Sequence, residues 1–205
     1  MNINNIEGMF MYRSDGYYIE LDDRAEKMLR EGEFLGSGHN GIVYLLPGKK
    51  VIKVFKDKNV CQSEYSILKR TQKSKYFPRL YCHGTYYIVR ECVEGKRLDS
   101  YIIDNGFNKK IASNIIELIK EFKRLNFSKL DIRCKDLYVM DDLSIRVIDP
   151  KNNYSKNCTY PRHLMKGLNN LGALDEFLQV VNHEYNQVYN DWSARMDRYF
   201  RTGIK

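Results

Sequence analysis

The sequence has few prolines, four in 205 residues, and a single tryptophan. Its longest apolar run is the pentapeptide Ile42–Leu46, far short of a membrane-spanning helix. No basic stretch followed by an apolar one opens the chain, so no secretory signal is expected. Cysteine is present but unorganised: Cys61, Cys82, Cys92, Cys134 and Cys158 are odd in number, scattered, and contain no CxxC pair. That excludes a disulfide scaffold and a zinc-knuckle pattern, and points to a reducing, cytoplasmic setting. Low-complexity tracts and repeats of 20–50 residues are missing too. With 43% hydrophobic residues, the chain is not disordered and can bury a real core.

What is present in excess is positive charge: 34 Lys and Arg against 26 Asp and Glu, a formal net charge of +8. Such a surplus suits a polyanionic partner: a nucleotide, a nucleic acid, a membrane surface or an acidic protein. The basic residues are spread along the chain, however, and a solvated surface accounts for them equally well.

Patterning divides the chain. The opening alternates weakly about Asp15-Gly16 and predicts a hairpin; Asp22-Asp23 predicts the cap of a short helix ending near Arg30. Strands are expected over Phe34–Leu46 and Lys50–Lys56, joined at Pro47-Gly48. A helix is expected over Val60–Gln72, then strands over Arg79–His83 and Thr85–Cys92. Val93–Lys96 reads as a connector, and Asp99 as a helix N-cap. Ile111, Ile115, Ile116, Leu118, Ile119, Phe122 and Leu125 follow the helical period closely. Short strands at Tyr138–Met140 and Ile145–Ile148 flank Asp141-Asp142, and the tail from Leu174 to Trp192 is helical again. Tyr160–Leu171 has no clear assignment. The order predicts two lobes with a crevice at residues 91–97.

Gly36-Ser37-Gly38-His39-Asn40-Gly41-Ile42-Val43 is a GxGxxGxV run. A lone glycine triplet is a weak signal. A dinucleotide-binding fold requires a helix immediately after it, whereas Ile42–Leu46 continues as a strand. That context predicts a flap folded over a nucleotide's phosphates.

From here the sequence resembles the eukaryotic-type protein kinase superfamily, as a compact, atypical, bacterial-looking member, over roughly residues 33–150. Val51-Ile52-Lys53 is similar to the third-strand lysine motif, and Glu64 to the helix glutamate that pairs with it. Ile88–Gly95 resembles the fifth strand and hinge, with Arg90 at the gatekeeper position. Lys129–Asp136 resembles the catalytic loop, with Asp131 at the catalytic aspartate and Asp136 where the family has a metal-binding Asn. Ile148-Asp149-Pro150 stands in for Asp-Phe-Gly. The departures are Lys129 and Leu130 in place of His-Arg, Asp136 for Asn, Asp149-Pro150-Lys151 for Asp-Phe-Gly, and the missing Ala-Pro-Glu segment.

The resemblance implies an α+β, bilobal protein kinase-like fold, with a β-rich N-lobe containing one helix and a shortened, mainly α C-lobe. Residues 1–94 would form the first lobe (1–32 an extension, 33–94 the nucleotide-binding sheet) and 95–205 the second. Leu35, Gly36, Ser37, Gly38, Gly41, Val43, Val51, Lys53, Glu64, Glu91 and Val93 would serve ATP. Asp136 and Asp149 would hold Mg²⁺, and Asp131 and Arg133 would act on the transferred group. The implied function is an ATP-dependent phosphotransferase, first of all a small Ser/Thr protein kinase-like enzyme. Three alternatives stay open: a nucleotide-binding pseudokinase, a sugar- or aminoglycoside-like small-molecule kinase, and a kinase-like subunit acting with RNA. The histidines show no metal-ligand spacing. His39 is expected in solvent, and His83, His163 and His183 in structural roles.

Overall fold

The computed structural model describes residues 4–6, 9–14, 17–150 and 153–203. Its contacts cluster into two compact units, one of Met1–Lys73 with Pro78–Val93, the other of Ser74–Phe77 with Glu94–Lys205. The short segment 74–77, inside the expected first lobe, packs with the second unit.

The first unit begins with a three-stranded antiparallel sheet of β1 (Asn4–Ile6), β2 (Met9–Ser14) and β3 (Tyr17–Glu20). The expected turn, Asp15-Gly16, lies outside the described residues. Helix α1 (Asp23–Arg30) starts where Asp22 accepts a hydrogen bond from the Ala25 amide at 2.8 Å, supplying an acceptor that the first helical turn lacks. The main sheet follows: β4 (Glu33–Gly38), β5 (Gly41–Leu46), β6 (Lys50–Phe55), β7 (Leu80–His83) and β8 (Tyr87–Glu91). Its order is β4-β5-β6-β8-β7, with every neighbouring pair antiparallel. Helix α2 (Lys58–Arg70), capped by the Asp57 carboxylate on the Asn59 amide, lies in the chain between β6 and β7.

Strand alternation gives this sheet two distinct faces. Ile52, Val54, Tyr87 and Val89 pack with Ile19, Leu21 and Ala25, so the segment leading into α1 covers one face. Phe55 and Ile88 pack on the opposite face with Cys61 and Leu68 of α2. The register pairs Val43 with Lys53, Lys53 with Ile88, and Val51 with Arg90. These side chains therefore share the α2 face.

The second unit is mainly helical. Its small sheet, in the order β11-β10-β9, comprises β9 (Lys96–Arg97), β10 (Leu137–Val139) and β11 (Ile145–Val147). The helices are α3 (Leu98–Asn105), α4 (Lys109–Arg124), α5 (Arg162–Asn170), α6 (Leu174–Glu184) and α7 (Asn186–Thr202). Asn108 caps α4 through the Ile111 amide, and Ile111, Ile115, Ile116, Leu118, Ile119 and Phe122 are fully buried. Phe77 joins this core, its ring centroid 6.1 Å from Phe122 and 5.9 Å from Phe127.

Three expectations change. The segment beginning at Leu98 forms α3, and Asp99 is not its N-cap: Arg97 holds that place, while the Asp99 carboxylate accepts from Arg97 Nε and Nη2. Tyr160–Leu171 is largely α5. The tail is two helices, interrupted at Tyr185 (φ −146°, ψ 44°). The architecture is mixed α+β, with an antiparallel N-terminal sheet and a helical C-terminal region, as expected for a protein kinase-like fold. Among the described residues no helix is long and apolar enough to cross a membrane.

Candidate active site

In the first unit, Lys53 of β6 donates to Glu64 of α2, Nζ to Oε2 at 2.6 Å. Lys53 is 7% exposed and Glu64 3%. Removing two opposite charges from water is tolerable when they neutralise one another at hydrogen-bond distance. The expected pairing is therefore formed, on the sheet face that also carries Val43 and Val51.

The glycine-rich run spans β4, its tip and the start of β5. A methyl group added at Gly36 or Gly38 would meet nothing within 4 Å, whereas one at Gly41 would lie 1.9 Å from the Val54 carbonyl oxygen. Gly41 is thus required by the close approach of β6, and Gly36 and Gly38 leave open space beside their backbone. Leu35 is 55% exposed, Ser37 is paired across the hairpin with Ile42, and His39 is in solvent as expected.

At the other edge of the unit, the Glu91 amide donates to the Arg79 carbonyl at 2.8 Å. The Glu91 carbonyl accepts from Arg90 Nη1 at 3.1 Å. Arg90, expected at a gatekeeper position, is only 7% exposed, and it occupies one lone pair of the carbonyl expected to meet the adenine. Val93 is buried two positions on.

The second unit gathers the expected catalytic and metal residues. Asp131, Arg133, Asp136 and Asp149 line one cavity of about 450 Å³. Local structure explains how. Residues Cys134–Asp136 form one 3₁₀ turn, closed by the Asp136 amide on the Arg133 carbonyl. The β10–β11 hairpin then returns the chain, and the Ile148 amide bonds to the Asp136 carbonyl at 3.1 Å, which brings Asp149 back beside the turn. Lys151, the last member of the Asp-Pro-Lys motif, lies outside the described residues.

Arg133 does not stand free toward the cavity. Its Nε and Nη2 donate to Asp136 Oδ2 at 2.6 Å and Oδ1 at 2.8 Å, and this pairing holds the guanidinium pKa above its ordinary value. Lys129 has its pKa lowered by burial against the opposing pull of Asp131 and Asp136. Burial also pushes the Cys158 thiol up, which argues against a reactive thiolate in the cavity.

One member of the site escaped the sequence. Leu130 donates its amide to the Cys158 carbonyl, and Cys158 to the Ser128 carbonyl, so residues near 158 run beside 128–130 and deliver α5 to Asp131. The His163 amide donates to Asp131 Oδ1 at 2.7 Å, and His163 Nδ1 contacts Asp131 Oδ2. Asp131 is 2% exposed; the His163 side chain is half exposed. The one available signal was Leu164, Met165 and Leu168 at helical spacing after Pro161, which places His163 in a first turn but names no partner.

The donor chemistry fits a magnesium ion. Asp136 and Asp149 offer hard carboxylate oxygens to one cavity. Among the described residues no group of three or more His, Cys, Asp or Glu could hold a metal unaided, but Mg²⁺ is commonly held by one or two carboxylates together with substrate phosphates.

No family model matches the chain, and neither does any curated protein. Among solved structures, the co-crystal structure of WbdD and kinase inhibitor LY294002 resembles it at 18% identity and a TM-score of 0.46, over 57% of this chain. The chain matches about a third of that protein's length, 32%.

Proposed function

We propose that the protein is an ATP- and Mg²⁺-dependent phosphotransferase that moves the γ-phosphoryl group to a hydroxyl. The observation that carries this reading is the gathering of Asp131, Asp136 and Asp149 on one cavity. The buried Lys53–Glu64 pair supports it, since a lysine held in this way is pre-positioned to meet the α- and β-phosphates. Asp136 and Asp149 would hold Mg²⁺, which supplies neutralisation of charge on the phosphates. Gly36 and Gly38 leave room for close backbone approach, with Leu35, Ser37, Gly41, Val43 and Val51 completing the nucleotide side. Glu91 and Val93 would face the base. Asp131 would orient the attack of the hydroxyl, and Arg133 would balance charge once released from Asp136.

A Ser or Thr side chain of a protein is the acceptor we favour, and a sugar- or aminoglycoside-like hydroxyl is the alternative. The +8 charge suits an acidic or nucleic-acid partner, and a cytoplasmic setting suits the five free thiols. A second reading, a nucleotide-binding pseudokinase, draws on the Arg133 fork that covers both Asp136 oxygens.

Labelled ATP, with and without a generic protein acceptor, tests the proposal. Transfer or ADP release should fall about 10²–10⁴-fold in Asp131→Asn and also fall in Asp149→Asn. Unchanged labelling in both variants overturns it. ATP binding without turnover, lost in Lys53→Ala, selects the second reading.

A further inference from the structure

We propose that the proton-accepting atom of this site is His163 Nε2, with Asp131 acting as the group that orients it. The inference rests on the phosphotransferase reading and alters its chemistry. In the arrangement implied by the resemblance, the aspartate itself meets the acceptor hydroxyl. Here Asp131 is 2% exposed, and both its oxygens are taken by one residue, Oδ1 by the His163 amide and Oδ2 by Nδ1. The imidazole lines the same cavity as Asp136 and Asp149 and is half exposed. The ring contacts the buried carboxylate on one side, and His163 lines the cavity that a substrate would enter.

Two contacts select the same tautomer. A carboxylate accepts, so Nδ1 carries the hydrogen toward Asp131. Arg162 Nη2 lies 3.4 Å from Nε2, and a guanidinium can only donate, so Nε2 presents its lone pair. Free imidazole prefers the reverse arrangement, and Asp131 holds this one, as a base needs a third group to orient it. The 3.4 Å contact is long enough for an acceptor hydroxyl to displace Arg162. The other charged or titratable groups sharing the cavity are Lys129, Arg133, Asp136, Asp149, Lys156 and Cys158.

The step balances without a further reactant. The acceptor oxygen forms a bond to the γ-phosphorus of a nucleoside triphosphate, and the bond from that phosphorus to the β,γ-bridging oxygen breaks. The hydroxyl proton passes to Nε2, the imidazolium is stabilised by Asp131, and the proton returns to solvent after the diphosphate leaves. A protonated ring cannot accept, so the rate should rise with pH through deprotonation of one group.

ADP release from ATP across a pH series, in the wild type and in His163→Gln, is the kinetic test. We expect a loss of about 10²–10⁴-fold and disappearance of the acid limb. Nitrogen NMR of histidine-labelled protein gives a readout independent of turnover. One imidazole, missing from His163→Gln, should show Nδ1–H with bare Nε2 and should revert to Nε2–H in Asp131→Asn. Wild-type rate and profile in His163→Gln overturn the inference and leave phosphotransfer standing. A faster His163→Gln would show that the ring merely blocks Asp131, and also overturns it, as does an Nε2–H signal in the wild type. No ADP release by the wild type at any pH overturns the phosphotransferase reading itself.

Discussion

Arg133 grips Asp136 with two parallel hydrogen bonds, Nε to Oδ2 at 2.6 Å and Nη2 to Oδ1 at 2.8 Å. Bidentate guanidinium–carboxylate pairs are among the more specific polar contacts. A cation reaching Asp136 must share those oxygens or displace the fork. Arg133→Ala should therefore raise the Mn²⁺ affinity of the nucleotide-free protein. The Arg133 side chain is 43% exposed, so solvent screens the pair and the gain should be about two- to fivefold. Titration followed by electron paramagnetic resonance measures it. An unchanged affinity would mean that Asp136 is not a ligand.

The Lys53–Glu64 pair stands at the other extreme of exposure, with side chains 9% and 3% accessible. Removing one partner leaves a buried charge, at a cost of about 3–5 kcal/mol. Lys53→Met should therefore lower stability to urea by that amount. Lys53→Met combined with Glu64→Leu should recover most of the loss, because neither charge then remains to be solvated. A double variant as unstable as the single would show that the pair's charge balance is not what matters.

The three glycines of the flap should separate stability from binding. Alanine at Gly41 would drive its Cβ against the Val54 carbonyl, a backbone atom with little freedom to yield. Gly41→Ala should cost about 3 kcal/mol, toward the top of the usual overpacking range. Gly36→Ala and Gly38→Ala meet open space and should stay within about 0.5 kcal/mol of wild type. Their effect should appear in nucleotide affinity, which calorimetry would read. Full affinity in both variants would remove the flap from the nucleotide's surroundings.

Much of this was legible because local patterns decide it. Helix α4 is written in its apolar period and in Asn108 at its start; α1 is written in Asp22 and the acidic residues after it. The start of helix α3, expected at Asp99, was misplaced, since its N-cap Arg97 offers no side-chain hydrogen bond and only Leu98 and Ile102 are buried. Helix α5 also lacks a side-chain cap. The acids at 131, 136 and 149 could be found from motif order. The His163–Asp131 contact could not, because it depends on residues near 158 running beside 128–130, a pairing that leaves no periodic signal in either segment.

Buried hydroxyl and thiol groups, Cys61, Cys134 and Tyr87 foremost among them, should lower stability at alkaline pH. Burial pushes Cys61 and Cys134 up to about 12 from 9.0. Burial, with the hydrogen bond to Asp22, takes Tyr87 from 10.0 to about 12. Each folded-state value lies above the unfolded one, so the folded state keeps protons that the unfolded state has lost. Their contribution is complete below pH 9 and declines as the pH rises toward about 12, with a negative slope of stability against pH. Urea midpoints measured from pH 8 to 11 should fall, and Tyr87→Phe should show a shallower decline above pH 10. A flat profile would contradict the burial of all three.

Gly167 sits one helical turn beyond His163, and its lack of a side chain sets how closely α5 approaches the turn that carries Asp136. A Cβ at 167 would lie 2.6 Å from Cys134 Sγ and 3.6 Å from its Cβ. Gly167→Ala should cost about 1–3 kcal/mol and, by pushing α5 outward, disturb the His163–Asp131 contact as well. Cys134→Ala removes the sulfur that would be struck. If the clash is the cause, the second change should relieve the first: Gly167→Ala should be tolerated better in the Cys134→Ala background, with a coupling of about 1 kcal/mol or more. Thermal unfolding gives the stability arm, and the His163 nitrogen spectrum gives the positional arm. Equal damage in both backgrounds would mean that the sulfur contact does not set the position of α5.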